Sequence, residues 1–212
     1  METVCLVCNT VRRDCAQGTS FQKLLTELRR QFRKFNFEIK IRTLRNITLC
    51  NEEFYVNAYY DADDDYHREI PIEVVIHHNF DTTVQWDKKQ ITDLLIQVFD
   101  AIVHEFKHQR QSRKRMFKVF FHNGSYLSDP DEIDAYALSI AIELSRSLGK
   151  YRALRYMHRF STLGRLKTQE QFVSPNLHAY TQEFDPADPI LRILAKKVYV
   201  RIQKVDTDCI FV

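Results

Sequence analysis

The clearest pattern in this chain is a run of apolar residues at helical spacing between positions 91 and 106. The apolar positions recur every three or four residues and are Ile91, Leu94, Leu95, Val98, Ile102 and Phe106. Asp87 and Gln90 precede them at the spacing of a capping box. The pattern therefore predicts a long amphipathic helix that buries one side in a core.

A shorter amphipathic helix is predicted for residues 21–35, before the pattern changes to alternation. Its inner stripe is formed by Leu24, Leu25, Leu28 and Phe32, and its exposed side by Arg29, Arg30, Arg33 and Lys34. Three strands are then predicted. The first has Phe37, Ile39 and Ile41 on one face, the second covers residues 53–60, and the third covers Glu69–His78 with Ile70, Ile72, Val74 and Ile76 on one face.

Four aspartates fall within Asp61–Asp65, between the second and third predicted strands. A calcium-binding loop would also need a glycine and a glutamate at fixed positions, and the sequence has neither there. We therefore interpret this segment as the solvated tip of a hairpin.

The second half of the chain is predicted to be mainly helical. Asp129 and Pro130 are typical of a helix start, and Gly149 of its end. A short basic helix is predicted for Tyr151–Phe160, an irregular segment with a helical turn near Gln169–Phe172 for 161–187, and a last helix from Pro189. Helices, then strands, then helices indicate an α+β fold.

The length of 212 residues favours a single domain, with a core of about 20–148 and a C-terminal helical extension of about 150–212. Hydrophobic content of 44% and charged content of 28% are typical of soluble globular proteins. No basic and apolar leader and no 18-residue apolar run occurs, which predicts a cytoplasmic protein with no membrane partner. The net charge of +3 is too small to imply nucleic acid.

The five cysteines are an odd number with irregular spacing, which favours reduced thiols. Cys5 and Cys8 form a C-x-x-C pair, and a zinc knuckle that adds Cys15 and Cys50 is conceivable. Because there is no second C-x-x-C pair, we interpret residues 5–7 as a short apolar strand or terminus. Cys5 and Cys8 are expected to be free thiols without metal.

The candidate chemistry lies on the long predicted helix, in the string His104-Glu105-Phe106-Lys107-His108. Two histidines four positions apart lie on the same helix face, one turn apart. That spacing allows both imidazoles to bind one Zn²⁺, with Glu105 directed at the water that the metal activates. The apolar neighbours of the motif, Ala101, Ile102, Val103 and Phe106, predict a half-buried helix rather than a fully exposed one.

A zinc that keeps one open coordination position needs a third protein ligand. Glu132 and Asp134, on the helix that starts at Pro130, are the candidates. Residues that are two positions apart on a helix point in directions about 200° apart, so Glu132 and Asp134 cannot both face one metal. The apolar centre of that helix falls between them, and the residues alone leave the choice open.

The chain resembles the gluzincin metallopeptidases through H-E-x-x-H followed by P-x-E-I-D-A-Y-A, and most nearly the small single-domain forms of the ImmA/IrrE type. Similar strings occur in phage-encoded proteins, which would place the protein in the host cytoplasm. The resemblance implies that His104, His108 and Glu132 bind Zn²⁺ and that Asp134 supports them. Lys107 departs from the family pattern, because zinc peptidases usually carry a small or apolar residue there.

The resemblance also implies a zincin-like fold. This would be a small twisted mixed sheet beside the H-E-x-x-H helix, with the third-ligand helix antiparallel to it and extra helices at the C-terminus. In such folds an edge strand pairs with extended substrate, and Glu69–His78 is our candidate for it.

The expected activity is hydrolysis of peptide bonds in a narrow protein substrate, with Glu105 as general base. The candidate donors to the oxyanion are His178 and Tyr180, followed by Tyr126 and Tyr136; the other histidines that could support the site are His77, His78 and His122. Two alternatives are a non-catalytic metal-site scaffold that regulates or inhibits another protein, and a nucleic-acid-associated protein that uses Arg110–Lys118 and Arg152–Arg165.

Overall fold

The structure is a computed structural model that describes residues 1–35, 37, 39–50, 53–117, 124–163 and 173–204. These residues form helices and a small mixed sheet, which confirms the α+β class. The chain divides into two compact units, Met1–Lys118 and Val119–Val212. Each unit is described by itself, and the single-domain organisation stays a prediction.

The first unit contains the sheet, the N-terminal helices and the long helix. Its elements are α1 Glu2–Asp14, β1 Thr19–Ser20, α2 Phe21–Lys34, β2 Ile39–Arg45, β3 Phe54–Tyr60, α3 Ala62–Tyr66, β4 Ile72–His78, β5 Gln85–Trp86 and α4 Lys88–Lys114. The predicted inner stripe of α2 is buried throughout, at Leu24, Leu25, Leu28 and Phe32. The capping box of α4 is also confirmed, since Asp87 and Gln90 bond each other's backbone N–H groups.

The main sheet has the strand order β2-β4-β3, so the third predicted strand lies in the centre. β2 runs parallel to β4, with Ile41 opposite Val74, and β3 runs antiparallel to it, with Val56 opposite Ile76. The prediction that Glu69–His78 is a substrate-binding edge strand is therefore wrong. Both sides of the β4 backbone are already paired, which leaves no hydrogen-bonding edge for a peptide.

The two edges of this sheet belong to β2 and β3, and a helix side chain binds the backbone of each. Arg29 of α2 donates from Nε to the carbonyl of Ile41 on β2 at 3.1 Å. Gln97 of α4 accepts the amide of Val56 on β3, also at 3.1 Å. These bonds fix the sheet between α2 and α4 and satisfy backbone groups that a bare edge would leave open.

The N-terminus is a helix, and the predicted strand or terminus at residues 5–7 is wrong. The buried positions of α1 are Val4, Cys5, Val7, Cys8 and Val11, a three-and-four spacing that only a helix places on one face. α1 packs against both α2 and α4. Burial raises the pKa of the Cys8 thiol, and the neighbouring Cys5 and Asp100 act in the same direction.

This burial makes the thiol prediction specific. Cys5 and Cys8 are expected to react with a thiol reagent only after denaturation, whereas the exposed Cys50 is expected to react in the native protein. Thiol titration of the native, chelator-treated and denatured protein measures this. Cysteines that become reactive on chelation alone would mean that Cys5 and Cys8 bind metal.

The aspartate-rich segment is not a solvated tip, because Asp65 is buried. Residues Ala62–Tyr66 form the short helix α3, capped by the side chain of Asp61. The Asp65 carboxylate, whose side chain is 4% exposed, accepts two hydrogen bonds from Arg113 at 2.6 and 2.8 Å, one from Tyr60 and one from Gln109. Asp65 therefore ties the connection between β3 and β4 to the last turns of α4.

The second unit is helical in the residues that the structure describes. It consists of a 3₁₀ turn at Tyr126–Ser128, α5 Pro130–Leu148, α6 Lys150–Leu163, α7 Pro175–Glu183 and α8 Pro189–Lys204. The predicted start and end of α5 are confirmed, since Asp129 caps its N-terminus and Gly149 follows its last residue with φ +74°. α8 packs against α5 and α6 through Leu191, Leu194, Ala195, Val198 and Ile202.

The predicted irregular segment 161–187 contains a regular helix, so that prediction is wrong for α7. Ser174 caps this helix by accepting the amide of Leu177 at 3.2 Å, and Pro175 occupies its first turn. Ser174 also donates to the buried Glu143 of α5 at 2.5 Å, and Asn176 donates to the same carboxylate at 2.7 Å. The predicted turn at Gln169–Phe172 lies outside the described residues.

Candidate metal centre

The two histidines of the motif lie on the central part of α4, next to its most buried positions. Ile102 and Val103 are 0% and 3% exposed, and His104, Glu105 and His108 are half-buried. The long helix is therefore held firmly against the core directly beside the motif. A rigid helix is a precise support for ligands, because it sets the direction in which each side chain leaves the backbone.

The imidazole rings of His104 and His108 converge on one point. Their Nε2 atoms are 3.1 Å apart and their ring centroids 4.8 Å apart. Two nitrogen ligands of a tetrahedral zinc lie ~3.3 Å apart, given metal–nitrogen distances near 2.0–2.1 Å. The pair thus has the separation that two ligands of one metal need.

Glu132 lies in the first turn of α5, where the cap formed by Asp129 and Pro130 fixes the helix start. The Tyr126 side chain hydrogen-bonds to Glu132 and to Tyr136. These contacts orient the Glu132 carboxylate from within its own unit. A hydrogen-bonded carboxylate is typical of metal ligands, because the second bond limits the positions of its oxygens.

His104, His108 and Glu132 form a group that could hold a metal ion. Each of the three residues offers one ligand atom, and these atoms lie within 4.8 Å of one another. Two imidazole nitrogens and one carboxylate oxygen are a donor set that suits Zn²⁺ and leaves a coordination position for substrate or water. Among the residues that the structure describes, no other group of three such side chains meets this distance.

Asp134, the other candidate for third ligand, is bound elsewhere in its unit. Its Oδ1 atom accepts hydrogen bonds from Lys197 at 3.2 Å and from Arg201 at 3.0 Å, both on α8. These ion pairs attach α5 to α8. Asp134 follows Glu132 by two positions, so it points to the opposite side of α5. Asp134 thus has a structural role that the sequence pattern did not indicate.

Tyr180 and His178, the predicted donors to the oxyanion, lie on α7 rather than in an irregular segment. They are two positions apart, so their side chains leave the helix on roughly opposite sides. Tyr180 is fully buried, and its ring packs edge-to-face on Tyr136 at 5.6 Å. Among the residues that the structure describes, none hydrogen-bonds to its hydroxyl. Burial raises the pKa of Tyr180, helped by the nearby Tyr136 and Glu132, so its hydroxyl keeps its proton.

Two of the remaining histidines, His77 and His78, lie at the end of β4. His78 is buried at the end of β4, bonds the carbonyl of Phe80 through Nδ1 at 3.1 Å, and has its pKa lowered by burial. His77 stacks on Tyr55 across the strand pair at 4.3 Å. His122 lies outside the described residues.

Comparison with family models, curated proteins and solved structures found no match to this chain. No described helix is long and apolar enough to cross a membrane.

Proposed function

We propose that the protein is a zinc-dependent metallopeptidase whose metal ligands are His104, His108 and Glu132. The observation that carries the proposal is the convergence of these three ligand atoms within 4.8 Å, with Glu105 next to His104 on α4. Bound there, zinc would supply Lewis acidity toward the scissile carbonyl and the attacking water. A gluzincin relationship and a zincin-like fold are part of this proposal.

Glu105 would act as the general base in this reaction. It would take the proton from the attacking water and deliver it to the amine that leaves. Its position next to His104 along α4 turns it about 100° from the histidine face, so it need not serve as a ligand. Tyr180 and His178 would be the candidate donors to the developing oxyanion.

The substrate would be an extended peptide that pairs with β3, which replaces β4 as the candidate strand. The amide of Val56 points away from β4, because Gln97 accepts it, and backbone alternation turns the N–H and C=O of Ala58 the same way. β3 lies beside α4. Gln97 of α4 binds Val56 of β3, and both Tyr60 at the end of β3 and Gln109 of α4 donate to Asp65. His104 lies between Gln97 and Gln109 along α4. An added strand would pair with the N–H and C=O of Ala58, as in other cases of strand addition, because Gln97 already binds the amide of Val56.

The proposal predicts one zinc per chain and a strong dependence on His104. His104→Ala is expected to lose zinc, because two remaining ligands bind the metal poorly. His67→Ala, at an exposed histidine of the same unit, is the matched control and is expected to keep it. Elemental analysis of the purified, dialysed proteins measures the zinc content. Equal zinc in both variants would contradict the assigned site.

A further inference from the structure

The net charge of +3 hides an uneven distribution of charge over the second unit. α6 carries four basic residues and no acidic one, and α8, which packs against it, carries five basic residues and no acidic one. On α8, Lys197 and Arg201 are neutralised by Asp134.

Three arginines of α6 form one exposed stripe. Arg152, Arg155 and Arg159 are spaced by three and four positions, so they lie within about 60° of each other around the helix. All three are exposed, and within the described part of the chain no carboxylate forms an ion pair with them. The opposite side of α6 is anchored in the core by Ala153, Met157 and Phe160.

An exposed aromatic ring adjoins this stripe. Tyr151 is 73% exposed, and the guanidinium of Arg155 lies 6.0 Å from the centre of its ring. A tyrosine beside arginines can hydrogen-bond to a phosphate or sugar oxygen when the arginines bind phosphate. α8 also carries exposed basic and aromatic residues, namely Arg192, Lys196 and Tyr199.

The other basic run of the chain is occupied differently. In the segment from Arg110, Arg113 is held by the buried Asp65 through two hydrogen bonds. Arg113 therefore serves the structure of α4. In the segments that the structure describes, no buried carboxylate holds Arg152, Arg155 or Arg159 in this way.

We propose that the exposed face of α6, with Arg152, Arg155, Arg159 and Tyr151, binds the phosphodiester backbone of duplex nucleic acid without sequence preference. The stripe spans about 10 Å from Arg152 to Arg159 at 1.5 Å per residue. Phosphates of one duplex strand succeed each other every ~3.4 Å along the axis, so the stripe covers several of them. The arginine fork also fits phosphate oxygens in pairs. This inference does not depend on the metallopeptidase proposal.

The test compares two triple variants that remove the same charge. One is Arg152→Gln with Arg155→Gln and Arg159→Gln on α6. The control is Lys23→Gln with Arg33→Gln and Lys34→Gln, at exposed positions of α2. Binding of a fluorescein-labelled DNA duplex of mixed sequence is measured by anisotropy from about 50 to 200 mM salt. Circular dichroism checks that both variants fold.

The α6 variant is expected to bind more weakly, and its plot of log affinity against log salt should be flatter by about 3, since each lost phosphate contact removes ~0.9. The α2 control should keep the wild-type slope. Equal weakening in both variants would show only a net-charge effect and overturn the proposal. So would wild-type binding to phosphatidylserine vesicles or polyglutamate without binding to DNA, because the stripe would then serve a membrane or an acidic protein.

Discussion

Replacing Glu105 with glutamine is expected to abolish peptidase activity while the protein keeps its zinc and its fold. The amide is nearly the same size as the carboxylate but cannot accept the proton of the attacking water. General base catalysis contributes roughly 10²–10⁴-fold, so the loss should be large against any measurable wild-type rate. Zinc content and the thermal unfolding curve should match those of the wild type, because Glu105 is not among the proposed ligands.

The measurement has to work without a known substrate. We would incubate the protein with a denatured proteome and identify new peptide N-termini by labelling and mass spectrometry. The control variant is Glu2→Gln, an exposed glutamate of the same unit. New N-termini that appear with wild type and Glu2→Gln, and vanish with Glu105→Gln or a chelator, support the enzyme. If Glu105→Gln keeps the full biological effect of the wild type, the protein acts as a binding partner rather than a peptidase.

Asp65→Ala is expected to lower the free energy of unfolding by about 2–3 kcal/mol. The change removes the carboxylate to which Tyr60, Gln109 and Arg113 donate hydrogen bonds in a partly buried site. Loss of one partner of a fully buried ion pair costs about 3–5 kcal/mol. The side chain of Arg113 is 56% exposed and can regain water, so the smaller figure applies.

The effect should depend on pH in a defined direction. The hydrogen bonds from Arg113, outweighing the opposing effect of burial, lower the pKa of Asp65 below its ordinary value. The stabilisation is therefore complete above the unfolded pKa of about 3.9 and is lost as the pH falls through the folded value. Urea unfolding of wild type and Asp65→Ala should differ fully near neutrality and converge in acid. Asp63→Ala, at an exposed position of the same helix, should stay within about 0.5 kcal/mol at every pH.

The elements that local patterns define were predictable from the sequence. The capping box at Asp87 and the helix start at Asp129 involve contacts within one turn, so the residues that form them stand close together in the chain. The spacing of His104 and His108 likewise follows from helix geometry alone. The ion pairs of Asp134 could not be predicted in this way, because Lys197 and Arg201 lie more than sixty residues further on.

Other predictions are wrong although the sequence contains the signals of the correct structure. Buried residues at positions 4, 7, 8 and 11 have helical spacing, which the short apolar run at 5–7 obscured. Ser174 followed by Pro175 is a typical helix start, and it would have indicated α7. Val75 interrupts the alternation of β4 with a buried apolar residue, and a strand apolar on both faces is typical of a sheet centre.

The central position of β4 has a consequence for how the chain folds and how it can be shortened. β2 and β3 do not pair with each other, and each has only β4 as its neighbour in the sheet. During synthesis, β2 and β3 therefore remain unpaired in the sheet until Ile72–His78 leaves the ribosome. The hairpin of β3 and β4 closes over a short connection, whereas β2 must join across the whole of β3, the slower step on grounds of loop closure. Any fragment that ends before residue 72 lacks the strand on which the sheet assembles.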